Sequence, residues 1–172
     1  MNRLGKFVNV THCSIRMNID AMKYSKKPVI SSHANPAEIE RHGRNISDEQ
    51  IRACVKTDGL IGVNGIGKFL GSPQPDAALL ARHIDYLIEV AGPRHVGIAL
   101  DYAFPVGNAS TEEILAAHPE YWPKEEYSGV NGYVAPEALE QVVVHLLQSG
   151  HNETTINYVL GGNFYRLACE IW

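Results

Sequence analysis

The sequence predicts an α/β fold of about four parallel strands with their helices, followed by two C-terminal helices. Short apolar runs recur between residues 7 and 101, and each of them ends in polar residues. The segments between these runs carry apolar residues at helical spacing. Near the C-terminus two helical patterns follow each other without a strand, from about Pro136 to Gln148 and from about Glu153 to Ile171. Strands that alternate with helices are typical of a parallel sheet with right-handed crossovers.

Four apolar runs are the predicted strands. Short continuous runs of Val, Ile and Leu are typical of strands buried on both faces of a parallel sheet. The runs are Phe7–His12, Pro28–His33, Leu60–Asn64 and His95–Asp101.

The first connecting helix is predicted from about Ser14 to Tyr24. Its residues Ile15, Ile19 and Met22 are spaced to share one face. The helix is expected to stop before Pro28, because the residue that precedes a proline is disfavoured in helical geometry.

Two further connecting helices have recognisable N-termini. The second helix opens at Ser47 with Gln50 three residues on, which is the spacing of a capping box. Asp76 caps the third helix, which Gly92 and the following proline end.

A long segment from Tyr102 to Tyr133 is rich in Gly, Pro and aromatic residues. We predict a functional loop there, with one short helix at about Thr111–Ala117. Farther on, the run Gly161-Gly162-Asn163 predicts an interruption or cap of the last helix, and only secondarily a binding site.

Four βα units are half of a (β/α)₈ barrel, and a half barrel leaves an unpaired strand at each edge of its sheet. We therefore treat residues 1–172 as a single partial barrel domain. Its edges pair with another copy of the chain or with a missing half, or the chain curls into a smaller α/β sheet.

The composition argues against several classes of partner. The 172 residues are 45% hydrophobic and 20% charged, as in a globular domain. The net charge of -4 and the lack of any run of Lys and Arg argue against nucleic acid. No export signal or membrane anchor is expected. Cys13, Cys54 and Cys169 lie far apart, which predicts reduced thiols and a cytoplasmic location.

Polar residues end the four predicted strands: His12, His33, Asn64 and Asp101. Active sites of parallel α/β folds form at this end of the strands. His12 and His33 are one βα unit apart, so their imidazoles come from neighbouring strands and can converge on one ion. Zinc or another borderline divalent ion suits such ligands. Asp101 is placed to take a proton from water and return it to a leaving amine.

Structural roles are the alternative for the same residues. A single histidine at a strand end is more often a hydrogen-bonded structural residue than a ligand, whereas two in register favour a metal. Asp101 is as well explained by a helix cap or a turn. The other histidines, His83 among them, have no partner spacing and are assigned to the surface or to packing.

Several segments resemble the renal (membrane) dipeptidase family, zinc peptidases with an amidohydrolase-type (β/α)₈ barrel. They are VTHCS at 10–14, PVISSHAN at 28–35, RNISDE at 44–49, GVN at 62–64, RHIDY at 82–86, VGIALDY at 96–102 and LGGNF at 160–164. The segment PEYW at 119–122 is similar to a bacterial branch of the family. The resemblance covers essentially the whole chain and corresponds to the C-terminal half of the family's catalytic domain.

The resemblance implies a zinc-dependent dipeptidase that hydrolyses the peptide bond of dipeptides at a binuclear zinc site. It implies that His12 and His33 bind the second zinc ion and that Asp101 handles protons around the tetrahedral intermediate. Arg44 matches the arginine that holds the substrate carboxylate, a task that suits a guanidinium fork. Asn64 and Phe69 are assigned to substrate binding with it.

The sequence also departs from the family. The His-x-Asp pair and the metal-bridging glutamate of the N-terminal half have no match, so the first zinc lacks its ligands and the second lacks its bridge. Asn9 stands where many members have Asp, and Ala103 where many have a second Asp, which alters the groups around the metal.

We therefore expect a truncated or split dipeptidase, with a missing N-terminal half or a second copy of the chain as its partner. The competing hypothesis is a non-catalytic α/β module that pairs its open edges with such a partner. A weaker hypothesis is a small-molecule-binding half barrel that uses Arg44 for an anion.

Overall fold

The computed structural model describes residues 1–104, 111–121 and 132–172. This part of the chain contains the predicted parallel sheet. Its strands are β1 (Val8–Asn9), β2 (Val29–Ser31), β3 (Leu60–Val63) and β4 (Val96–Ile98), arranged in the order β1-β2-β3-β4. Each neighbouring pair is parallel. The predicted fold class, a partial barrel of four parallel strands with helices, is confirmed.

The strands are shorter than the apolar runs that predicted them. Their backbone pairing nevertheless continues beyond the strand ends, since Val10 N donates to Ile30 O at 2.9 Å and Ala99 N donates to Val63 O at 3.0 Å. Gly62 allows close approach of the segment after β2, because a Cβ at this position would lie 2.2 Å from Ser32 O. The carboxyl ends of the four strands therefore lie together along one edge of the sheet.

Helices follow the strands and close the chain. They are α1 (Ile15–Tyr24), α2 (Asp48–Val55), α3 (Gly67–Leu70), α4 (Ala77–Ala91), α5 (Thr111–Ala117), α6 (Leu139–Gln148), α7 (Glu153–Asn157) and α8 (Asn163–Ile171). Short 3₁₀ turns occupy Asn2–Leu4, Pro93–His95 and Pro136–Ala138. Among the described residues, no helix is both long enough and apolar enough to cross a membrane. Residues 105–110 and 122–131 of the predicted loop lie outside the described residues.

The predicted N-caps of the connecting helices are confirmed. Ser47 Oγ accepts from Gln50 N at 3.4 Å, and Gln50 Oε1 accepts from Ser47 N at 3.1 Å, which completes the capping box of α2. Asp76 accepts from Leu79 N at 2.8 Å at the start of α4. These bonds satisfy amide groups that have no partner within the helix, so they define where each helix begins.

The shared apolar face predicted for α1 is only partly buried. Met22 is 5% exposed, whereas Ile15 is 66% exposed. Ile15 is the first residue of the helix, directly after the Ser14 cap, and it lies at the rim of a cavity and not over the sheet. The helical periodicity therefore predicts the helix correctly, but Ile15, the first residue of the pattern, does not pack against the sheet.

The main core lies between one face of the sheet and helices α1, α2, α4 and α6. Val29, Ile61 and Val96 are fully buried on that face, and Leu80 and Ile84 of α4 pack against the same core. Burial of large aliphatic side chains at this density contributes about 2–5 kcal/mol per residue when measured by truncation to Ala. The resulting rigid layer holds the carboxyl ends of the strands in fixed positions.

The last predicted helix is broken in two. A π-helical turn at Tyr158–Gly162, with Gly161 at φ 153°, separates α7 from α8, so the predicted interruption is confirmed. Beyond this break, Asn163 Nδ2 donates to Pro93 O at 2.7 Å and to Val96 O at 2.8 Å. These bonds attach the start of α8 to the amino end of β4, opposite the edge that carries the polar residues.

Candidate functional site

The four polar residues predicted at the strand ends lie together in the structure. The Nε2 atoms of His12 and His33 are 3.0 Å apart. Asp101 Oδ2 lies 3.8 Å from His33 Nε2 and accepts a hydrogen bond from Asn64 Nδ2 at 3.1 Å. Because each residue follows a different strand, this cluster depends on the sheet and cannot form from local sequence alone.

Backbone conformation distinguishes two members of the cluster. His12 has φ 67° and Asp101 has φ 55°, a left-handed conformation that residues other than glycine seldom adopt. Such a conformation costs about 1–3 kcal/mol and is found preferentially at functional sites. Each of the two residues lies three positions after the last residue of its strand.

A small hydroxyl network orients His33. Ser32 Oγ donates to Thr11 Oγ1 at 3.2 Å and accepts from Asn9 Nδ2 at 3.0 Å. It also lies 3.0 Å from His33 Nδ1. Since the one hydroxyl hydrogen is used on Thr11, His33 Nδ1–H is the donor to Ser32. This assignment leaves the lone pair of His33 Nε2 directed toward His12.

The surroundings of both histidines favour the neutral imidazole, because they lower the pKa of each ring. Burial lowers the pKa of His12, the adjacent Arg44 guanidinium lowers it further, and Asp101 opposes the shift. Burial also lowers the pKa of His33, against the raising effect of Asp101. Neutral imidazoles with available lone pairs are the form that binds a metal ion.

Arg44 lies on the other side of His12. Its Nη2 is 3.1 Å from His12 Nε2, and its Nη1 contacts His12 Nδ1. The guanidinium also stacks over the Phe69 ring, 5.4 Å from the centroid. Asn45 fixes this arrangement, because its Nδ2 donates to Phe69 O at 2.9 Å. Arg44 is thus the cation at the edge of the cluster.

Comparison with known proteins identifies the family. The sequence profile of the membrane dipeptidase family, peptidase family M19, matches residues 1–116. The chain belongs to this family. An uncharacterized dipeptidase of Schizosaccharomyces pombe is 36% identical over 118 residues, which are 66% of this chain and 28% of that protein. The chain therefore spans only part of the length of this relative.

Solved structures agree on the fold. An amidohydrolase from Pseudomonas aeruginosa superposes with a TM-score of 0.83 at 23% identity. The superposition covers all of this chain and 54% of the amidohydrolase chain. A metallopeptidase from Rhodobacter sphaeroides, solved with a phosphinate mimic of the dipeptide L-Ala-D-Ala, superposes with a TM-score of 0.75 at 20% identity. That superposition covers 99% of this chain and 44% of the metallopeptidase. The M19 chain thus corresponds to about half of each of these two chains.

The donor atoms of this M19 chain fit part of a zinc site. Two imidazole nitrogens on one tetrahedral zinc ion, each at about 2.0–2.1 Å, lie roughly 3.3–3.4 Å apart. The observed 3.0 Å between His12 Nε2 and His33 Nε2 differs from this by a few tenths of an ångström. Within the described ranges, however, no three His, Cys, Asp or Glu residues are grouped to hold a metal ion. The two histidines therefore fit as two ligands and leave the rest of the coordination shell to other groups.

The remaining predicted residues occupy supporting positions. Asn64 is 1% exposed, and its Oδ1 accepts from Ile66 N at 2.7 Å while its Nδ2 donates to Asp101. Phe69 is 7% exposed and lies beneath the Arg44 guanidinium. Direct contact of Asn64 and Phe69 with substrate stays a prediction.

Sequence analysis did not identify the residues that orient His33. Ser32 and Thr11 directly precede the two histidines in the sequence, and their hydroxyl groups meet only because β1 and β2 are neighbours. The available signal was a hydroxyl residue directly before each strand-end histidine.

Proposed function

We propose that this chain supplies His12, His33, Arg44 and Asp101 to the active site of a zinc-dependent dipeptidase. The observation that carries the proposal is the pair of Nε2 atoms 3.0 Å apart, with the Asp101 carboxylate 3.8 Å from His33. Membership of the membrane dipeptidase family supports the reaction class. The phosphinate dipeptide mimic bound to the Rhodobacter sphaeroides metallopeptidase supports dipeptides as the substrate class.

His12 and His33 are the residues that would hold the zinc ion. When bound, zinc polarises the carbonyl group that is attacked and lowers the pKa of water to about neutrality. The other ligands would come from a further half of the barrel or from a second copy of the chain. Residues 1–172 then form one partial barrel domain that contributes part of the active site.

Asp101 is the group that would move protons. Its Oδ2 is held by Asn64, and its side chain is 40% exposed along the edge that carries the histidines. A carboxylate in this position takes a proton from the attacking water and delivers it to the departing amine. Asn64 is a positioning residue for this step, because it fixes the carboxylate without entering the reaction.

Arg44 is the group that would bind the substrate carboxylate. Its planar guanidinium offers paired donors, and stacking on Phe69 restricts its orientation. The contacts of Arg44 with His12 have to be released when His12 binds zinc, which frees the same donors for a carboxylate. Metal binding and substrate binding are therefore coupled through one side chain.

Zinc titration of the purified chain tests the proposal. We expect one zinc ion to bind weakly, and we expect His12→Ala or His33→Ala to lower the affinity at least tenfold, because either change removes one of two ligands. His145→Ala is the matched control, since His145 lies on α6 away from the cluster. Dipeptide hydrolysis by the isolated chain should be slight or absent. Zinc affinity that is unchanged in both variants would reject the metal site.

A non-catalytic module that pairs its sheet edges is the second candidate. In the described part of the chain, β1 and β4 each pair on one side only. Phe7, just before β1, contacts Phe164 and Trp172 at ring-centroid distances of 5.7 and 5.3 Å. Phe164 is 47% exposed and Trp172 is 77% exposed, so an aromatic surface lies beside the open edge. Such a surface favours an interface.

The mass of the chain in solution tests this candidate. We expect a homo-oligomer that Phe164→Asp dissociates, because the substitution places a charge in the aromatic surface. Tyr24→Asp, which changes another exposed aromatic residue on α1, is the control. A monomer at all concentrations would argue against self-association.

The cytoplasmic location stays a prediction.

A further inference from the structure

The hydrogen bonds around Ser32 define the direction of its hydroxyl group. Asn9 Oδ1 accepts from Thr11 N at 3.1 Å and from Ser32 N at 3.2 Å, which fixes the orientation of the amide. Asn9 Nδ2 therefore faces Ser32 Oγ and donates to it at 3.0 Å. Since a hydroxyl oxygen has two lone pairs, this bond leaves Ser32 Oγ with one lone pair and one hydrogen for its other contacts.

Thr11 is the acceptor for that hydrogen. Ser32 Oγ donates to Thr11 Oγ1 at 3.2 Å, and the backbone N of His33 donates to the same oxygen at 3.3 Å. The hydrogen of the Thr11 hydroxyl group is left for Ser31 Oγ, which lies 3.5 Å away. The second lone pair of Ser32 Oγ thus meets His33 Nδ1 at 3.0 Å, so the ring nitrogen has to be the donor.

We propose that Ser32 is a positioning residue that fixes His33 in the Nδ1–H tautomer and so presents the Nε2 lone pair to the metal ion. A neutral imidazole carries one hydrogen, and only the nitrogen without it binds a metal ion. An acceptor on the other ring nitrogen fixes the tautomer and the orientation of a histidine ligand. The inference rests on the proposed function for the metal ion, but the tautomer is a property of the metal-free chain.

His12 has a different environment from His33. Its Nδ1 contacts Arg44 Nη1, and a guanidinium group only donates. Among the residues that the structure describes, no acceptor contacts His12 Nδ1. His33 is therefore the preorganised ligand of the pair, whereas His12 adjusts when Arg44 is released.

Ser32 allows both a disruptive and a conservative substitution. Ser32→Ala removes the acceptor for His33 Nδ1. Ser32→Thr keeps the hydroxyl group, and its extra methyl group has room in a cavity of about 240 Å³ that Ser32 lines between the sheet and the start of α8. Ser149→Ala is the matched control, because Ser149 Oγ donates to Asp85 at 2.8 Å directly after α6.

Nitrogen NMR of the imidazole rings in the metal-free chain tests the inference. Burial lowers the pKa of His33, so its ring is neutral at about pH 7.5. In a neutral ring the nitrogen without a hydrogen resonates far downfield of the nitrogen that carries one. We expect His33 to show the Nδ1–H tautomer in the native chain and in Ser32→Thr, and to lose this preference in Ser32→Ala. The signal that is missing in His33→Gln is that of His33.

His83 is an internal reference for this measurement. Its Nε2 lies 3.3 Å from Leu70 O, which only accepts, so His83 carries its hydrogen on Nε2, the opposite tautomer. Because His83 is fully buried in α4, an unchanged His83 signal shows that a variant is folded. An Nε2–H tautomer of His33 in the native chain would overturn the inference, as would an unchanged Nδ1–H tautomer in folded Ser32→Ala.

Zinc affinity is the second readout, measured by competition with a chromophoric chelator. Loss of the group that accepts from a histidine ligand lowers metal affinity by about 10–100-fold. We expect Ser32→Ala to lower zinc affinity by about tenfold, the lower end of this range, because the hydroxyl group is uncharged. Ser32→Thr should restore the affinity, and Ser149→Ala should leave it unchanged. Equal affinities of Ser32→Ala and of a native chain that binds zinc through both histidines would overturn the inference.

The two proposals fail in different ways. A His33 tautomer that depends on Ser32, in a chain whose zinc binding does not depend on His12 or His33, rejects the metal site and leaves Ser32 as the residue that orients His33. Zinc binding that depends on both histidines, with a tautomer that does not depend on Ser32, rejects the role of Ser32 and leaves the metal site.

Discussion

Asn64 Nδ2 donates to Asp101 Oδ2 at 3.1 Å, and the two residues follow neighbouring strands, β3 and β4. Asn64 also accepts from Ile66 N at 2.7 Å, so one buried amide connects the candidate proton-transfer group to the backbone after β3. The carboxylate is thus positioned by the sheet and not by its own loop.

Asn64→Leu should lower the free energy of unfolding by about 2–3 kcal/mol, because a buried N–H loses its acceptor and Asp101 loses its donor. Urea denaturation measures this change. Asp101→Asn is the matched control, since an amide oxygen keeps the bond and Asn tolerates φ 55°. We expect that control to remain within about 0.5 kcal/mol of the native chain. A similar loss in both variants would mean that the charge of Asp101, and not its bond, stabilises the fold.

The burial of His83 predicts that the folded chain loses stability in mild acid. It is fully buried in α4, and burial lowers its pKa to about 4, while its Nε2 contacts Leu70 O at 3.3 Å. The folded state keeps the ring neutral, whereas the unfolded chain protonates it below about pH 6.5. The free energy of unfolding is therefore not reduced by His83 above this pH. It decreases as the pH falls toward 4, and the decrease is about 2 kcal/mol at about pH 5.

Chemical denaturation between about pH 7.5 and pH 5 checks the contribution of His83. His83→Gln, which retains a donor for Leu70 O, should remove about 2 kcal/mol of the pH dependence. His145→Gln is the control, because His145 lies on α6 outside the buried core and should leave the pH dependence unchanged. If the two variants show the same slope as the native chain, another group controls the acid transition.

The strand-end histidines and Asp101 could be predicted from sequence because parallel strands bring their carboxyl ends to one edge of the sheet. The same rule placed Asn64 beside them. The contact of Arg44 with His12 could not be predicted from periodicity, since the residues are 32 positions apart and meet through an irregular loop. The resemblance to the dipeptidase family predicted a place for Arg44 at the site, but not this contact.

Other features required the packed structure. The break in the last helix was indicated by Gly161, but the docking of Asn163 on the amino end of β4 depends on a tertiary contact. Local patterns indicated elements and their ends, whereas the shape of the site arises between elements.

We expect Asn163 to contribute most of the stability with which α8 docks on the amino end of β4. It is 0% exposed and donates to both Pro93 O and Val96 O. Asn163→Leu removes the donor from the buried Val96 O and from the partly buried Pro93 O, and we expect it to destabilise the docking of α8 by about 2–4 kcal/mol. Hydrogen exchange of the α8 amides measures the local opening. Asn157→Leu, on α7, is the control and should leave this exchange unchanged; faster exchange in both variants would assign the effect to the helix itself.

Zinc should stabilise the folded chain, because His12 and His33 converge only when β1 and β2 pair. At a zinc concentration of about 100 times the dissociation constant, binding to the folded state alone adds about 2.7 kcal/mol to the free energy of unfolding. Thermal denaturation with and without zinc measures the gain, and a chelator should reverse it. His33→Ala should reduce the gain to about 1.4 kcal/mol or less, the value for a tenfold loss of affinity, while His151→Ala, which changes a histidine paired with Asp85 away from the cluster, should retain the full gain. An undiminished gain in His33→Ala would locate the stabilising ion at another site.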